Sequence, residues 1–343
     1  MNVYILNTLN QRLDSILLIK KEIPVKAIIG LTKKTPTDQM SGYLYIKDFC
    51  QKNGLNFIEV TDYSLKNPPD QKKLTSLEID ILLVLGWQRL IPSWLIRSCK
   101  IGAIGIHGSA WGINKGRGRS PQNWALILGK KKYYHSIFYI SDDIDSGKII
   151  DTEVYELTDF DDIQTSYVKD SLFTAQLIIK NIKNKNILQK KGKNQSEEAF
   201  YLPKRSPEDG GIDWQRDSMA IYNFIRGLTR PYPGAFSQTK KFKLTVWKAR
   251  PFKMKLNKIY KPGQIVKIFQ DKAFLVKTGD DFLLIDDYAL EIKNQKTFRE
   301  NTILPSVNFK KQMQKIVKKH LKNFPHLPIN QDILRNSGIT SIK

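Results

Sequence analysis

The sequence predicts an α/β protein, a doubly wound and mostly parallel sheet followed by a smaller β-rich domain. Three observations predict it. Short apolar runs alternate with amphipathic helical stretches over about the first 150 residues. Ile79 to Leu85 (IDILLVL) is a nearly continuous apolar run, as in a parallel strand covered on both faces. Beyond a Lys- and Asn-rich stretch at 183–196, the pattern changes to several short β-like runs separated by turn residues.

In order, Val3 to Leu6 reads as a strand. A helical pattern through Leu9, Leu13, Ile16 and Leu17 is stopped by Pro24, and Val25 to Leu31 is a second strand, a βαβ opening. The turn after the first strand, Asn7-Thr8-Leu9-Asn10, has no Gly, so the dinucleotide fingerprint is absent. Thr37 to Ser41 reads as a loop, Tyr45 and Phe49 as part of a helix, Asn56 to Val60 as a strand, and Leu65 to Lys73 as a Pro-containing loop. The run at 79–85 breaks at Gly86 and leads to a short helix through Trp94, Leu95 and Ile96. Lys148 to Tyr155 reads as a strand and about 161–182 as an amphipathic helix. Lys183 to Ser196 has little to bury and reads as a surface connector. Trp214 to Gly227 reads as a helix, Pro231 to Gly234 as a turn, and short strands follow near 235–237, 243–249, 263–268, 273–278 and 282–290. The tail from Val307 has one acid, Asp332, and sets Phe309, Met313, Ile316, Val317 and Leu321 at helical spacing. That is a helix packed by one face, with contact to phosphate as the alternative. These boundaries give a catalytic domain at 1–183, a linker at 184–203, a barrel domain at 204–300 and a basic helical tail at 301–343.

At 343 residues the chain has room for two cores. No run approaches the roughly 20 apolar residues of a membrane helix, and the first residues lack a secretory signal, so a cytoplasmic protein with no membrane partner is expected. Cys50 and Cys99 have no metal-ligand spacing and read as inert thiols, and no metal is expected. The net charge of +23 invites a nucleic-acid partner, yet the excess is mostly Lys spread along the whole chain.

The chemistry concentrates between Ile101 and Ile150. His107 closes an apolar run, a Gly/Arg-rich loop and a helix follow, and Asp145 comes after a second β-like run. If those runs are neighbours in a sheet, His107 and Asp145 meet at its carboxyl edge, where the ligand crevice of such a sheet lies. An imidazole titrating near neutrality with a carboxylate beside it can take the proton of an attacking amine. The alternative is a satisfied core His and a capping Asp.

HGS followed by RGRSPQNWALILGK and then DIDSGKII resembles the folate-dependent formyltransferases. That family includes methionyl-tRNA formyltransferases and formyltransferases of nucleotide-linked amino sugars. RSPEDGGIDW, NFIRGLTRPYPGAF, LTVWKARPF and PGQIV resemble their shared C-terminal domain, so the likeness runs in order from Met1 to about Leu290. It implies a Rossmann-like formyltransferase domain and a small OB-like β-barrel. It also implies 10-formyltetrahydrofolate as co-substrate and His107 and Asp145 as the catalytic pair. Gly86, Trp87, Gln88, Arg89, Leu90 and Ile91 would line the pterin pocket, with Ser141, Asp142 and Asp143 in a second folate loop. Ser109, Arg117, Gly118 and Arg119 would bind the acceptor. The family places an oxyanion-binding Asn two residues before its His, where this chain has Gly105, and its SLLPKYRG-like loop is here longer and without Pro. Asn114, Asn123, a backbone N–H or water is then left to supply the donor. The wording around His107 is similar to the amino-sugar branch, which includes enzymes acting on a uridine-diphosphate amino pentose. The segment Thr32 to Lys52 lacks the basic, Gly-rich insertion of tRNA-acting members. A nucleotide-linked amino sugar is therefore the expected acceptor. Methionyl-tRNA is the alternative, and a catalytically weakened family member the third reading.

Overall fold

The computed structural model describes residues 1–33, 42–196, 198–240, 242–292 and 298–339. From the amino end the chain forms β1 (Val3–Asn7), α1 (Leu13–Glu22), β2 (Val25–Leu31), α2 (Lys47–Lys52), β3 (Phe57–Val60), α3 (Pro68–Thr75), β4 (Ile81–Gly86), α4 (Ser93–Ser98) and β5 (Gly102–Ser109). It continues with α5 (Gly112–Lys115), β6 (Arg117–Gly118), α6 (Pro121–Ile127), β7 (Lys132–Tyr139), β8 (Ile149–Glu156) and α7 (Ile163–Lys183). The loop expected at Thr37 to Ser41, and part of the segment from Thr32 to Lys52, lie outside the described residues.

The chain divides into two units. The first comprises Met1–Arg117, Tyr134–Tyr155 and Tyr167–Ala199, and the second Gly118–Tyr133, Glu156–Ser166 and Phe200–Lys343. In the first, seven strands order β3-β2-β1-β4-β5-β7-β8. β1 to β5 pair in parallel, and β7 runs antiparallel to β5. β4 shows why the apolar run is continuous. Successive side chains point to opposite faces of a strand; Ile81, Leu83 and Leu85 enter one core with α1 and α7, whereas Leu82 and Val84 enter the other.

Two sequence expectations need correction here. The stretch expected as a loop at Leu65 to Lys73 contains the start of α3. Pro68 and Pro69 take its first positions, where no N–H is needed, and the Asn67 side chain accepts from the N–H of Asp70 at 2.9 Å. The stretch Lys183 to Ser196 buries more than a surface connector would. Ile187 is fully buried in the α1–α7 core, Asn186 bonds Asn181, and Lys193 exchanges two backbone hydrogen bonds with Ile149.

The second unit carries β9 (Tyr201–Leu202), α8 (Ser218–Arg226), β10 (Ala235–Gln238), β11 (Phe242–Phe252), β12 (Ile265–Ile268), β13 (Phe274–Lys277), β14 (Phe282–Ile292), α9 (Phe309–Asn323) and α10 (Gln331–Ser337). Five strands form an antiparallel sheet in the order β10-β11-β14-β13-β12. The helix expected from Trp214 begins only at Ser218. Trp214 is instead fully buried, its indole N–H donating to Ser237 Oγ at 2.8 Å, while the Ser218 N–H donates to Asp280. α9 follows its apolar spacing. Phe309, Met313, Ile316 and Val317 are buried, and His320 takes an inward place beside a half-buried Leu321. Among the described residues no helix is long and apolar enough to cross a membrane.

Candidate active site

β5 presents Gly105, His107 and Ser109 to one face of the sheet, opposite Phe138, Ser136 and Tyr134 of β7. The intervening Ile104 and Ile106 turn to the α1–α7 core on the other face. His107 is buried, with Nε2 2.7 Å from the Gly116 carbonyl and Nδ1 3.3 Å from Asp145 Oδ2. A carbonyl only accepts, so Nε2 carries hydrogen in this arrangement, and Nδ1 is the nitrogen facing the carboxylate. Gly116 is needed for this approach, since a Cβ there would fall 1.8 Å from Ser109 Oγ.

The pair expected from the sequence is formed, but by a different route. β7 is antiparallel to β5, so the loop after it leaves beside the amino end of β5, where Ile140 N–H bonds Ala103 O at 2.8 Å. Asp145 therefore does not lie at the carboxyl end of a parallel strand. It reaches His107 from a loop held with Asp145 itself at φ +48°, left-handed backbone that disfavours any residue with a Cβ. Gly147 ends the turn against β7, where a Cβ would fall 1.6 Å from the Tyr139 carbonyl.

The two segments expected to line a folate pocket lie side by side. Ser93 at the start of α4 donates to Asp142, and Ser141 and Ser146 hydroxyls bond at 2.7 Å across their loop; Asp142 and Asp143 are exposed. Gly86 packs so closely on the β1 turn that a Cβ would fall 2.0 Å from Asn7 Oδ1. Trp87 and Ile91 are buried, whereas Leu90 stands 59% exposed beside them. The indole N–H of Trp87 is buried without a hydrogen-bond partner among the described residues. Tyr63, which the sequence reading missed and no motif marks, shapes this segment. Its ring meets Trp87 edge-on at 4.9 Å, its hydroxyl accepts from the Gln88 N–H at 2.8 Å, and Arg89 lies over its face.

Ser109 is fully buried and its hydroxyl spans its own turn, donating to Gly112 O and accepting from the Trp111 N–H. Arg117 is buried and donates to Gln195 Oε1 at 2.6 Å. Gly118 is at φ +95° and Arg119 is exposed, with its N–H on Leu202 O. Asn114 donates to Ser196 Oγ at 2.9 Å, and Asn123 to Gly227 O at 2.7 Å within the second unit. Gly105 has no space beside it, because a Cβ would lie 2.9 Å from Phe138 Cζ and 3.0 Å from Ile140 Cγ1.

On the opposite face, His135 is fully buried, with Nε2 2.8 Å from Thr174 Oγ1 and Nδ1 3.0 Å from Asp170, which also pairs with Arg12. Burial first, then electrostatic repulsion from the side of Arg12 and His107, pushes its pKa down to about 3, so the imidazole stays uncharged at neutral pH. Burial pushes both Cys50 and Cys99 up to about 11, leaving unreactive thiols. Among the described residues no group of three or more His, Cys, Asp or Glu is placed to hold a metal.

Residues 22–181 match the formyl transferase family and residues 204–302 the formyl transferase C-terminal domain. The chain is 30% identical over 263 residues to a methionyl-tRNA formyltransferase of Fusobacterium nucleatum, a match covering 74% of this chain and 80% of that protein. Its fold is similar to that of an N-formyltransferase from Helicobacter canadensis solved with folinic acid and dTDP-3-aminofucose, at 16% identity and a TM-score of 0.59 over 84% of this chain and 100% of that one. It is also similar to a variant of HypX from Aquifex aeolicus, at 14% identity and a TM-score of 0.58, covering 96% of this chain and about half, 48%, of the other.

Proposed function

The chain belongs to the formyl transferase family and is a formyl-transferring enzyme; from that premise we propose that it moves the formyl group of 10-formyltetrahydrofolate to the primary amine of a nucleotide-linked amino sugar. The observation that carries the reading is the 3.3 Å approach of His107 Nδ1 to Asp145 Oδ2. An amine that attacks a carbonyl must shed a proton. With Nε2 bonded to the Gly116 carbonyl, Nδ1 is the nitrogen that takes it, and Asp145 balances the imidazolium charge. Asn114 is the oxyanion donor in this proposal, through the second hydrogen of the amide whose first goes to Ser196.

The folate supplies the activated formyl carbonyl. The residues present fit its flat heterocycle: Trp87, whose buried N–H has no acceptor among the described residues, and the exposed apolar edge of Leu90 would hold it against Ile91. Arg119 is exposed on the Gly/Arg loop and is suited to an acceptor phosphate. The amino-sugar acceptor is supported by the HGS…RGRSPQNW wording at 107–124.

A second reading, methionyl-tRNA as acceptor, is favoured by the Fusobacterium relative, which is named a methionyl-tRNA formyltransferase, and by the lysine-rich outer face of α9. Purified protein with 10-formyltetrahydrofolate is offered a panel of nucleotide-linked amino sugars and, separately, methionyl-tRNA, and product is read by mass. Transfer to a sugar amine, abolished in His107→Asn, is the expected result. Transfer to methionyl-tRNA alone would install the second reading, and transfer to no amine would mark a catalytically weakened member of the family.

A further inference from the structure

We infer that Gln195 is a positioning residue for the Asp145 carboxylate, held in its own orientation by the buried guanidinium of Arg117. The inference rests on the proposed pairing of Asp145 with His107. Gln195 lies in the Lys/Asn-rich stretch after α7, where neither composition nor spacing singles it out. Its Nε2 donates to the carbonyl of Asp145 at 2.8 Å and to that of Gly147 at 2.7 Å, using both amide hydrogens on one turn. Its Oε1 accepts from Arg117 Nη2 at 2.6 Å.

These partners fix the amide one way round. A guanidinium only donates and a backbone carbonyl only accepts, so the oxygen must face Arg117 and the nitrogen must face the turn. Arg117 is itself 6% exposed, which keeps the contact out of competition with water.

The turn needs such a clamp. Asp145 sits in left-handed backbone at φ +48° and Gly147 is pressed against the Tyr139 carbonyl, so the carboxylate's approach to His107 depends on a conformation that Asp does not prefer. The clamp has a firm base. Lys193 and Ile149 exchange two hydrogen bonds of 2.8 Å just before it, and Ser196 bonds Asn114 just after it. Among the described residues the Gln195 amide bonds Arg117 and this turn, not His107. It acts through the turn that carries Asp145.

The full-length enzyme is tested as Gln195→Met and Gln195→Glu, each alone and combined with Asp145→Asn, with thermal melting as a check of folding. Met keeps the length and removes all polar contacts. Glu keeps an acceptor for Arg117 but turns a second oxygen on the two carbonyls. Both single variants should lose about tenfold or more in kcat, with KM for the formyl donor and for the amine within about twofold. In the Asp145→Asn background the same changes should cost nothing further, because the group being positioned is gone. A general packing role would persist in that background and overturn the inference. So would full activity of both Gln195 variants while Asp145→Asn is crippled. Full activity of Asp145→Asn itself would overturn the catalytic pairing and this inference with it.

Discussion

Gly105→Asn restores the residue that the family resemblance implies two positions before His107, and the structure sets its cost. A Cβ at 105 meets Phe138 Cζ at 2.9 Å, Ile140 Cγ1 at 3.0 Å and Phe138 Cε1 at 3.1 Å. Ordinary carbon contacts begin near 3.5 Å, so the ring and the isoleucine must retreat by roughly half an ångström before the amide is added. Phe138 is 4% exposed and lies directly across the ladder from Gly105, so little freedom exists for that retreat. Overpacking of this kind costs about 1–3 kcal/mol, or a fall of about 3–10 °C in Tm for a domain of this size. Phe138→Leu made alongside should relieve part of it, giving a coupling of about 1 kcal/mol in a double-mutant cycle. Urea denaturation gives the stability terms and single-turnover formyl transfer gives the rate. An oxyanion donor is worth roughly a hundred- to thousandfold, so the single variant should be less stable and no faster. A Gly105→Asn protein with unchanged Tm and a tenfold higher rate would refute the reasoning, showing an open site at 105 and an oxyanion left unserved by Asn114.

Asp145→Asn should lower kcat by roughly a hundredfold or more while far-UV circular dichroism stays unchanged, and a rate within twofold of the parent would remove the carboxylate from the chemistry. Asn114→Ala should cost about a hundredfold in kcat, with Ser196→Ala as the control that keeps the amide. His135 gives a pH signature. Folded, it stays neutral down to about pH 3, whereas unfolded it binds a proton near 6.5. The unfolded state thus holds the extra proton in that window, and stability complete above it is lost as pH falls, by about 2 kcal/mol between about pH 7 and pH 5. Denaturation midpoints of the parent and of His135→Asn at the two pH values should show this loss in the parent alone. Arg226→Met should destabilise the second unit by about 2–4 kcal/mol in urea, because Arg226 Nη1 bonds the Thr158 and Asp161 carbonyls at 2.6 Å each and is 3% exposed.

What the sequence disclosed and what it concealed divide along a physical line. The apolar run of β4 and the stripe of α9 were legible because burial acts on side chains, and side chains repeat with the period of their element. His107 and Asp145 were legible through flanking words, although the strand between them runs the other way from the one expected. Apolar runs of equal length serve parallel and antiparallel neighbours alike, so direction left no mark. α3 is hidden in the sequence because Pro68-Pro69 opens a helix as readily as it builds a loop, and only the Asn67 cap decides between them. Gln195 was invisible for a deeper reason. It recognises two backbone carbonyls, which every residue possesses, so nothing in the identities of those two partners could announce the contact. Its own identity is nevertheless constrained. The task needs two hydrogens on one atom and an acceptor on its neighbour, which Gln and Asn alone supply without charge, and Asn is shorter by a methylene. A polar residue in a Lys-rich stretch can therefore be fixed as tightly as one in a motif, when what it reads is the shape of a turn.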